Sequence, residues 1–379
     1  MAKAIQLAER GLYTTRPNPR VGCVLTQNDQ VIAEGWHVRA GEGHAEVNAL
    51  ASARGSAQSI QGATCYVTLE PCSHTGKTGP CCDALIEAGV SRVVYGLEDP
   101  NPEVAGRGLE KLRAAGVEVV GPLLENQCRE LNPGFIRRME GERPFVRCKS
   151  AMSVDGRTAM ASGESKWITG ANARADVQRL RARSCAVITG VGTVIHDNPS
   201  LNVRADETGL PTADAQAAAA SQPLRVVVDS QLKTPPESML FKVGSAEGAP
   251  VLVVCTHRDE ARAQVLEGMG VEVIELPGKH GHLTGPNKVD LVALLDELAQ
   301  RGCNEILVEA GAGLSGAFLR LGLVDELWIY MAQVLMGSSA RPLFELPVDT
   351  MSCKLLLSWK DMRKVGDDLR IIAIPDYEG

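Results

Sequence analysis

Apolar positions along the chain alternate between two periods, and the alternation outlines the fold. Short apolar runs bounded by turn residues predict strands at VGCVLT (21–26), VIAEGW (31–36), ATCYVTL (63–69), RVVYGL (92–97) and VEVV (117–120). Between them AKAIQLAERG, AEVNALASA, CDALIEAG and GLEKLRAAG carry apolar residues three and four apart, which predicts helices. Strands separated by helical segments of this length imply a sheet with crossover helices.

The segment MEGERPFVR (139–147) breaks the pattern with charge, Gly and Pro, as a linker does. We place a boundary at Gly141, giving domains 1–141 and 142–379. A second alternation follows: strands FVRCKSAMS, AVITGV, RVVVDS, PVLVVCT, VEVIELP, EILVEA and ELWIYMAQVL, with helices NARADVQRLRARS, LVALLDELAQRG and LSGAFLRLG. Residues 205–222, small and polar, read as an exposed loop. No repeat relates the halves, so each is expected to do different work.

Composition narrows the class. A chain of 379 residues exceeds one ordinary core, and 44% hydrophobic with 22% charged residues matches a soluble enzyme. The net charge of −7 offers no footprint for nucleic acid or anionic membrane, so phosphate recognition is expected to be local and aimed at a small molecule. Eleven cysteines, an N-terminus without an apolar signal region and no long apolar run point to the cytoplasm, where thiols serve as core residues or metal ligands more often than as disulfides.

Two stretches carry metal chemistry. GHAEVNAL puts His44 and Glu46 at a helix start; residues two apart in a helix point roughly 200° from each other, so both cannot ligate one ion from a helix interior. His44 is then a ligand and Glu46 a non-ligand. TLEPCSHTGKTGPCCDAL (68–85) adds Cys72, His74, Cys81 and Cys82. One His and two thiolates leave a fourth tetrahedral position for water, as in a catalytic zinc site. H-x-E with P-C-x-x-C is the signature of zinc nucleobase deaminases, the Glu acting as general acid and base. Here eight residues, not two, separate Cys72 from Cys81. Cys81 is the preferred second thiol because a helix N-terminus favours a thiolate, while Cys82 and His74 stay open as substitutes. Alone, either stretch reads as a capped surface helix or buried small thiols.

TRPNPRVGCVL, GHAEVNAL, the cysteine stretch and EDPNPEVAGRGL together resemble the deaminase half of the bifunctional riboflavin biosynthesis deaminase/reductases, whose long thiol loop matches the eight-residue gap. The resemblance implies a cytidine-deaminase-like three-layer α/β/α domain in which His44, Cys72 and Cys81 hold zinc and Glu46 moves protons. It further implies that Asn18, Lys77, Asp99 and Asn101 touch a ribosylaminopyrimidine phosphate. Gly79 departs from the family's usual proline.

In the second half, VEAGAGLSGAFL contains G-x-G-x-x-G, and TGVGT forms another glycine turn. Such a turn lets backbone N–H groups approach a pyrophosphate at a helix N-terminus, but the acidic residue of a standard Rossmann domain is absent, so close packing remains the alternative. KSAMSVDGRTA, GESKWITG, ITGVGTVIHDNPSLNVR and LVDELWIYMAQVLMG resemble the same family's reductase domain, related in fold to dihydrofolate reductase, with Gln333 in place of a usual proline. The resemblance implies that Ala151, Trp167, Thr193, Asp197, Ser230 and the turn Gly311, Ala312, Gly313, Leu314, Ser315, Gly316 and Ala317 line an NADPH pocket. Ser165, Arg181, Leu201, Arg204 and Glu309 would line the substrate, the two arginines as candidate phosphate forks.

The expected activity is zinc-dependent hydrolytic deamination of diaminohydroxyphosphoribosylaminopyrimidine followed by NADPH-dependent reduction of its ribosyl group to ribityl. The expected partners are that small phosphorylated pyrimidine and further copies of the chain, with no nucleic acid or membrane. The competing readings are a tRNA adenosine or cytidine deaminase with an unrelated C-terminal domain, opposed by the acidic charge, and a structural zinc module, opposed by Glu46 and the three-ligand set.

Overall fold

A computed structural model of the chain describes residues 1–73, 79–102, 104–242, 250–278 and 287–377. Two compact units divide it, Met1–Arg143 and Pro144–Gly379. The division follows Arg143, with Pro144 leading into the strand at Phe145, two residues beyond the Gly141 boundary expected.

In the first unit the strands are β1 (Gly22–Gln27), β2 (Gln30–Trp36), β3 (Thr64–Val67), β4 (Arg92–Tyr95) and β5 (Glu118–Val120), in the order β2-β1-β3-β4-β5. β1 runs antiparallel to β2 and β3, whereas β3, β4 and β5 are parallel. The helices are α1 (Ala2–Glu9), α2 (Ala45–Gly55), α3 (Cys81–Glu87), α4 (Arg107–Ala114), α5 (Glu125–Leu131) and α6 (Pro133–Met139). Alternation along β1 sorts the layers. Cys23 and Leu25 enter a core with Ala49 and Leu50 of α2, Leu85 of α3 and Leu109 and Leu112 of α4, while Val24 meets Ala4 and Leu7 of α1 on the other face. That is a three-layer α/β/α arrangement. The sequence pattern did not predict α5 and α6, because each spans seven residues and buries only one or two apolar side chains, Cys128 and Leu131 or Ile136.

The second unit is built on a nine-stranded sheet. Its members are β6 (Phe145–Ser153), β8 (Ala186–Gly190), β9 (Leu224–Val228), β10 (Val251–Cys255), β11 (Glu272–Glu275), β12 (Glu305–Val308), β13 (Glu326–Ala332), β15 (Leu356–Val365) and β16 (Asp368–Asp376). Two short strands, β7 (Arg157–Ala159) and β14 (Arg341–Pro342), pair apart from it. The order is β11-β10-β9-β8-β12-β6-β13-β16-β15, parallel from β11 through β13, with β16 and β15 antiparallel at the edge. The parallel strands bury both faces and are rich in Val and Ile for that reason. Val226, Leu252 and Val254 face one core and Val187, Val227 and Val253 the other. The helices are α7 (Ala171–Arg183), α8 (Val191–Asp197), α9 (Thr212–Ala219), α10 (Glu260–Glu267), α11 (Leu291–Gln300) and α12 (Ala312–Arg320).

One expectation is corrected. Residues 205–222 are not a bare loop: a 3₁₀ turn spans Ala205–Glu207, and α9 follows, burying Ala215 and Ala218. Alanine has the highest helix propensity, and a run of it needs little apolar patterning to form a packed helix. Strands β15 and β16 and helix α10 also went unpredicted. Almost every residue of β15 is exposed, so no burial alternation marks it.

Candidate functional site

Helix α2 begins at a histidine that is not itself helical. His44 is the N-cap, with φ −71° and ψ 167°, and Glu46 follows in the first turn, 3% exposed. The helix lies directly on β2, since a Cβ at Gly35 would stand 2.3 Å from the Ala49 nitrogen. Cys72 follows the end of β3, and Cys81 opens α3. These elements bring the ligand atoms of His44, Cys72 and Cys81 within 4.8 Å of one another. His44 Nδ1 stands 3.3 Å from Cys81 Sγ and 3.5 Å from Cys72 Sγ. Donors of a tetrahedral zinc bonded at its usual lengths stand roughly 3.5–3.8 Å apart, so the three fit one ion.

The electrostatics agree with a cation-binding pocket. Hydrogen bonds from Cys81 and then His44 hold the Cys72 thiol down to about 4, against the opposing effect of burial. The Cys72 thiolate in turn raises Cys81 and His44. Burial, then the negative charge of Cys72, pushes Glu46 up to about 7. Glu46 contacts the Cys81 thiol through its side chain. A carboxyl group titrating near neutrality, beside the metal donors, suits proton transfer in both directions.

Cys82 takes another direction. Its thiol donates to the carbonyls of Pro71 and Gly108 at 3.1 and 3.5 Å, and burial raises it to about 12. The geometry thus separates the two adjacent cysteines. Lys77 and His74 lie outside the described residues.

Of the other residues expected in this half, Asn18 Nδ2 stands 3.2 Å from His37 Nε2, and His37 Nδ1 lies 3.0 Å from the Gly43 carbonyl oxygen. Nδ1 donating to that carbonyl leaves Nε2 to accept from the Asn18 amide. Asp99 accepts from the Asn101 backbone N–H at 2.9 Å. Sequence reasoning missed His37, a lone histidine with no spacing signal. It also missed Glu70, whose buried carboxylate accepts backbone N–H groups from the segment carrying Asp99.

In the second unit the expected residues gather at the C-terminal ends of parallel strands, where open α/β sheets bind ligands. Ala151 is on β6, Thr193 and Asp197 are on α8 just after β8, Ser230 follows β9, and Glu309 and the Gly311 turn follow β12. β12 sits between β8 and β6, so the strand order breaks there. Gly311 caps α12 without any side-chain hydrogen bond, leaving first-turn N–H groups for a phosphate. Gly316 has a packing reason: a Cβ there would stand 2.4 Å from the Glu345 carbonyl oxygen. Ser315 is fully buried and donates to the Ala310 carbonyl. Trp167 is 71% exposed, with the Arg174 guanidinium 4.6 Å from its ring.

The charged residues are paired within the protein. Arg181 donates bidentately to Glu309 at 2.6 and 2.9 Å, and to the Asn202 carbonyl. Arg204 donates to both Glu207 oxygens at 2.5 and 2.6 Å, and to Ser200 and Asn202. Ser165 donates to Asp197. Burial pushes Glu309 up, but the Arg181 guanidinium overrides it and holds the carboxyl low. Leu201 has a buried side chain and φ +54°, so only its backbone can face a ligand. Lys149 on β6, another residue missed in the sequence, has its ammonium pKa lowered by burial against the pull of Glu309.

Comparison with known proteins agrees over the full length. Residues 1–97 match the cytidine and deoxycytidylate deaminase zinc-binding region, and residues 144–370 match the RibD C-terminal domain. The riboflavin biosynthesis protein RibD of Escherichia coli is 45% identical over 371 residues, covering 97% of this chain and 96% of that protein. Acinetobacter baumannii RibD superposes with a TM-score of 0.87 at 44% identity, covering 99% of this chain and 97% of the other. A diaminohydroxyphosphoribosylaminopyrimidine deaminase/5-amino-6-(5-phosphoribosylamino)uracil reductase from Thermotoga maritima gives 0.82 at 32% identity, with the same coverage. With a deaminase-type zinc region in one unit and the RibD reductase type, which uses NADPH, in the other, this chain belongs to the RibD family of bifunctional deaminase/reductases of riboflavin biosynthesis.

Proposed function

We propose that His44, Cys72 and Cys81 hold the zinc of the deaminase and that Glu46 is its proton carrier. The observation carrying this reading is the convergence of three donors at zinc spacing beside a buried carboxyl. Bound zinc supplies the Lewis acidity that makes water a nucleophile near neutral pH. Glu46 would take up the protons of that water in turn at its carboxylate, passing one to the ring nitrogen and one to the departing amino group, so that water and the amino group end as the ring carbonyl, its N–H and ammonia. Asn18, Asp99, Asn101 and Lys77 orient the aminopyrimidine and its phosphate. The substrate is diaminohydroxyphosphoribosylaminopyrimidine; the net charge of −7 supports a small phosphorylated molecule over nucleic acid.

In the second unit NADPH supplies the hydride for reduction of the ribosyl carbon. Ala151, Trp167, Thr193, Asp197, Ser230 and the 311–317 turn hold the cofactor. Ser165, Arg181, Leu201, Arg204 and Glu309 hold the substrate. Lys149 on β6, whose ammonium gives up its proton more readily than an exposed lysine because of burial, is a candidate to protonate the reduced product.

Metal analysis tests the zinc assignment. The protein should carry about one zinc per chain, Cys72→Ser and Cys81→Ser should lose it, and Cys82→Ser should keep it. Loss from Cys82→Ser with retention by Cys81→Ser would reverse the choice of thiol.

We also infer that the chain self-associates along β15, the sheet's edge strand, and works in the cytoplasm. Trp359 and Met362 are 62% and 53% exposed there, among the charged Lys360, Asp361, Arg363 and Lys364, and their large apolar side chains on an unpaired strand edge offer a contact for a second copy. Among the described residues no disulfide forms, as a reducing compartment favours. Sedimentation should give a dimer or larger species that Trp359→Glu weakens; a monomer at micromolar concentration would refute the pairing.

A further inference from the structure

Glu70 stands two residues before the metal ligand Cys72 and is 3% exposed. Its two carboxylate oxygens are fully engaged by one segment of chain. Oε2 accepts from the backbone N–H of Asp99 at 3.2 Å and of Gly106 at 2.9 Å, and Oε1 accepts from Gly108 at 2.9 Å and Leu109 at 3.4 Å. Gly106 is the N-cap of α4 and has no side chain with which to cap it. Gly108 and Leu109 are the second and third residues of that helix, whose N–H groups have no partner within it. The carboxylate of Glu70 therefore caps α4 from a different element, and its negative charge lies at the helix end that favours an anion.

The same contacts fix what lies between. Asp99 is held at its own N–H, and its side chain accepts from the Asn101 N–H. The Leu97 carbonyl accepts from the Glu70 N–H at 2.8 Å, so both sides of the turn are pinned to one residue. A Cβ at Gly108 would stand 2.0 Å from the Pro71 carbonyl oxygen, and the Cys82 thiol donates to the Pro71 and Gly108 carbonyls. The chain leading to Cys72 and the start of α4 are thus in direct contact.

We propose that Glu70 is a positioning residue of the deaminase: it sets the Asp99–Asn101 segment, as the substrate-binding side, at a fixed place relative to the metal side at Cys72. The inference rests on the reading of Asp99 and Asn101 as substrate contacts. Glutamine cannot replace the acid, because its amide offers one acceptor oxygen and turns an NH₂ towards two N–H donors. Aspartate keeps both acceptors but falls one methylene short.

The test uses the full-length protein with diaminohydroxyphosphoribosylaminopyrimidine as substrate, following ammonia release and zinc content. Glu70→Gln should keep its zinc and raise the deaminase KM by about tenfold or more, as expected when binding groups are displaced by a fraction of an ångström. Its kcat should fall less than KM rises. Glu70→Asp should lie between Gln and the native protein, and it carries the test if the Gln variant is not recovered folded. Asp99→Ala alone should raise KM, and combined with Glu70→Gln it should be no worse than the worse single change, because both act on one segment. A native KM in Glu70→Gln and Glu70→Asp at full zinc would overturn the proposal, as would loss of zinc from soluble Glu70→Asp, which would make Glu70 a support of the metal ligands. A native KM in Asp99→Ala would instead remove the substrate reading of that segment, and the positioning role with it.

Discussion

The two units prepare for their ligands in opposite ways. In the first, an imidazole, two thiols and a buried carboxyl converge, and the hydrogen bonds from Cys81 and His44 that favour the Cys72 thiolate run among the donors themselves. In the second, Arg181 and Arg204 each bind an internal carboxylate, Glu309 and Glu207, in the fork geometry that would suit a phosphate. The deaminase site gains its stabilising partner on loading. On the proposed reading, the reductase site would exchange or share partners, its charged residues holding the unit together and also meeting the substrate.

This difference predicts unequal consequences of substitution. The largest is expected at Glu309. Glu309→Gln leaves the Arg181 guanidinium, 12% exposed, without its counter-charge, and Lys149 loses the same neighbour. Breaking a buried pair costs about 3–5 kcal/mol, which denaturant unfolding of the reductase unit should report together with loss of NADPH oxidation. Retained stability would mean that the pair is not structural. Arg204 is a milder case, because its partner Glu207 is nearly half exposed and the ion pair itself contributes about 1 kcal/mol or less. Arg204→Ala should leave unfolding nearly unchanged, spare ammonia release, and raise the reductase KM about tenfold through a lost phosphate contact. A native KM would confine Arg204 to its pairing with Glu207. The smallest effect is expected at Gly313, where an added Cβ would stand 3.2 Å from the movable end of the Glu345 side chain. Gly313→Val should weaken NADPH binding several-fold in a fluorescence titration by crowding the turn; unchanged affinity would leave the turn a packing feature, as Gly316 already is.

How much of this could be read from the sequence follows the same divide. His44, Glu46, Cys72 and Cys81 were legible because metal chemistry demands particular residue types, and they cluster once helix and strand ends are predicted. Cys81 and Cys82 were separable only by the helix-start argument, and the structure gives the physical difference, since the first turn of α3 aims one thiol at His44 and the other at the Pro71 carbonyl. Glu70 was not legible. Its partners are backbone N–H groups far along the chain, and a backbone contact leaves no trace in residue type. Lys149 was hidden for a related reason: within a buried strand it reads as one polar interruption, and its importance comes from Glu309, on another strand end. The parallel strands of the second sheet were anticipated because they are short apolar runs, whereas β16, though it buries Ile371, Ile372 and Ala373, was not. Exposed β15 and the alanine-rich helix α9 carry no such pattern, the first because little of it is buried and the second because alanine blurs the distinction between faces.

The central claim is that one chain carries two chemistries on separate residues, and the Glu46→Gln variant tests it most directly when both reactions are measured on one preparation. The amide keeps the shape of the side chain but cannot take up the proton of water, so ammonia release should fall by roughly 10² to 10⁴ with zinc still bound. Supplied with the deaminated intermediate, the same preparation should oxidise NADPH at the native rate. Loss of both activities under those conditions would contradict the division of labour between the two units.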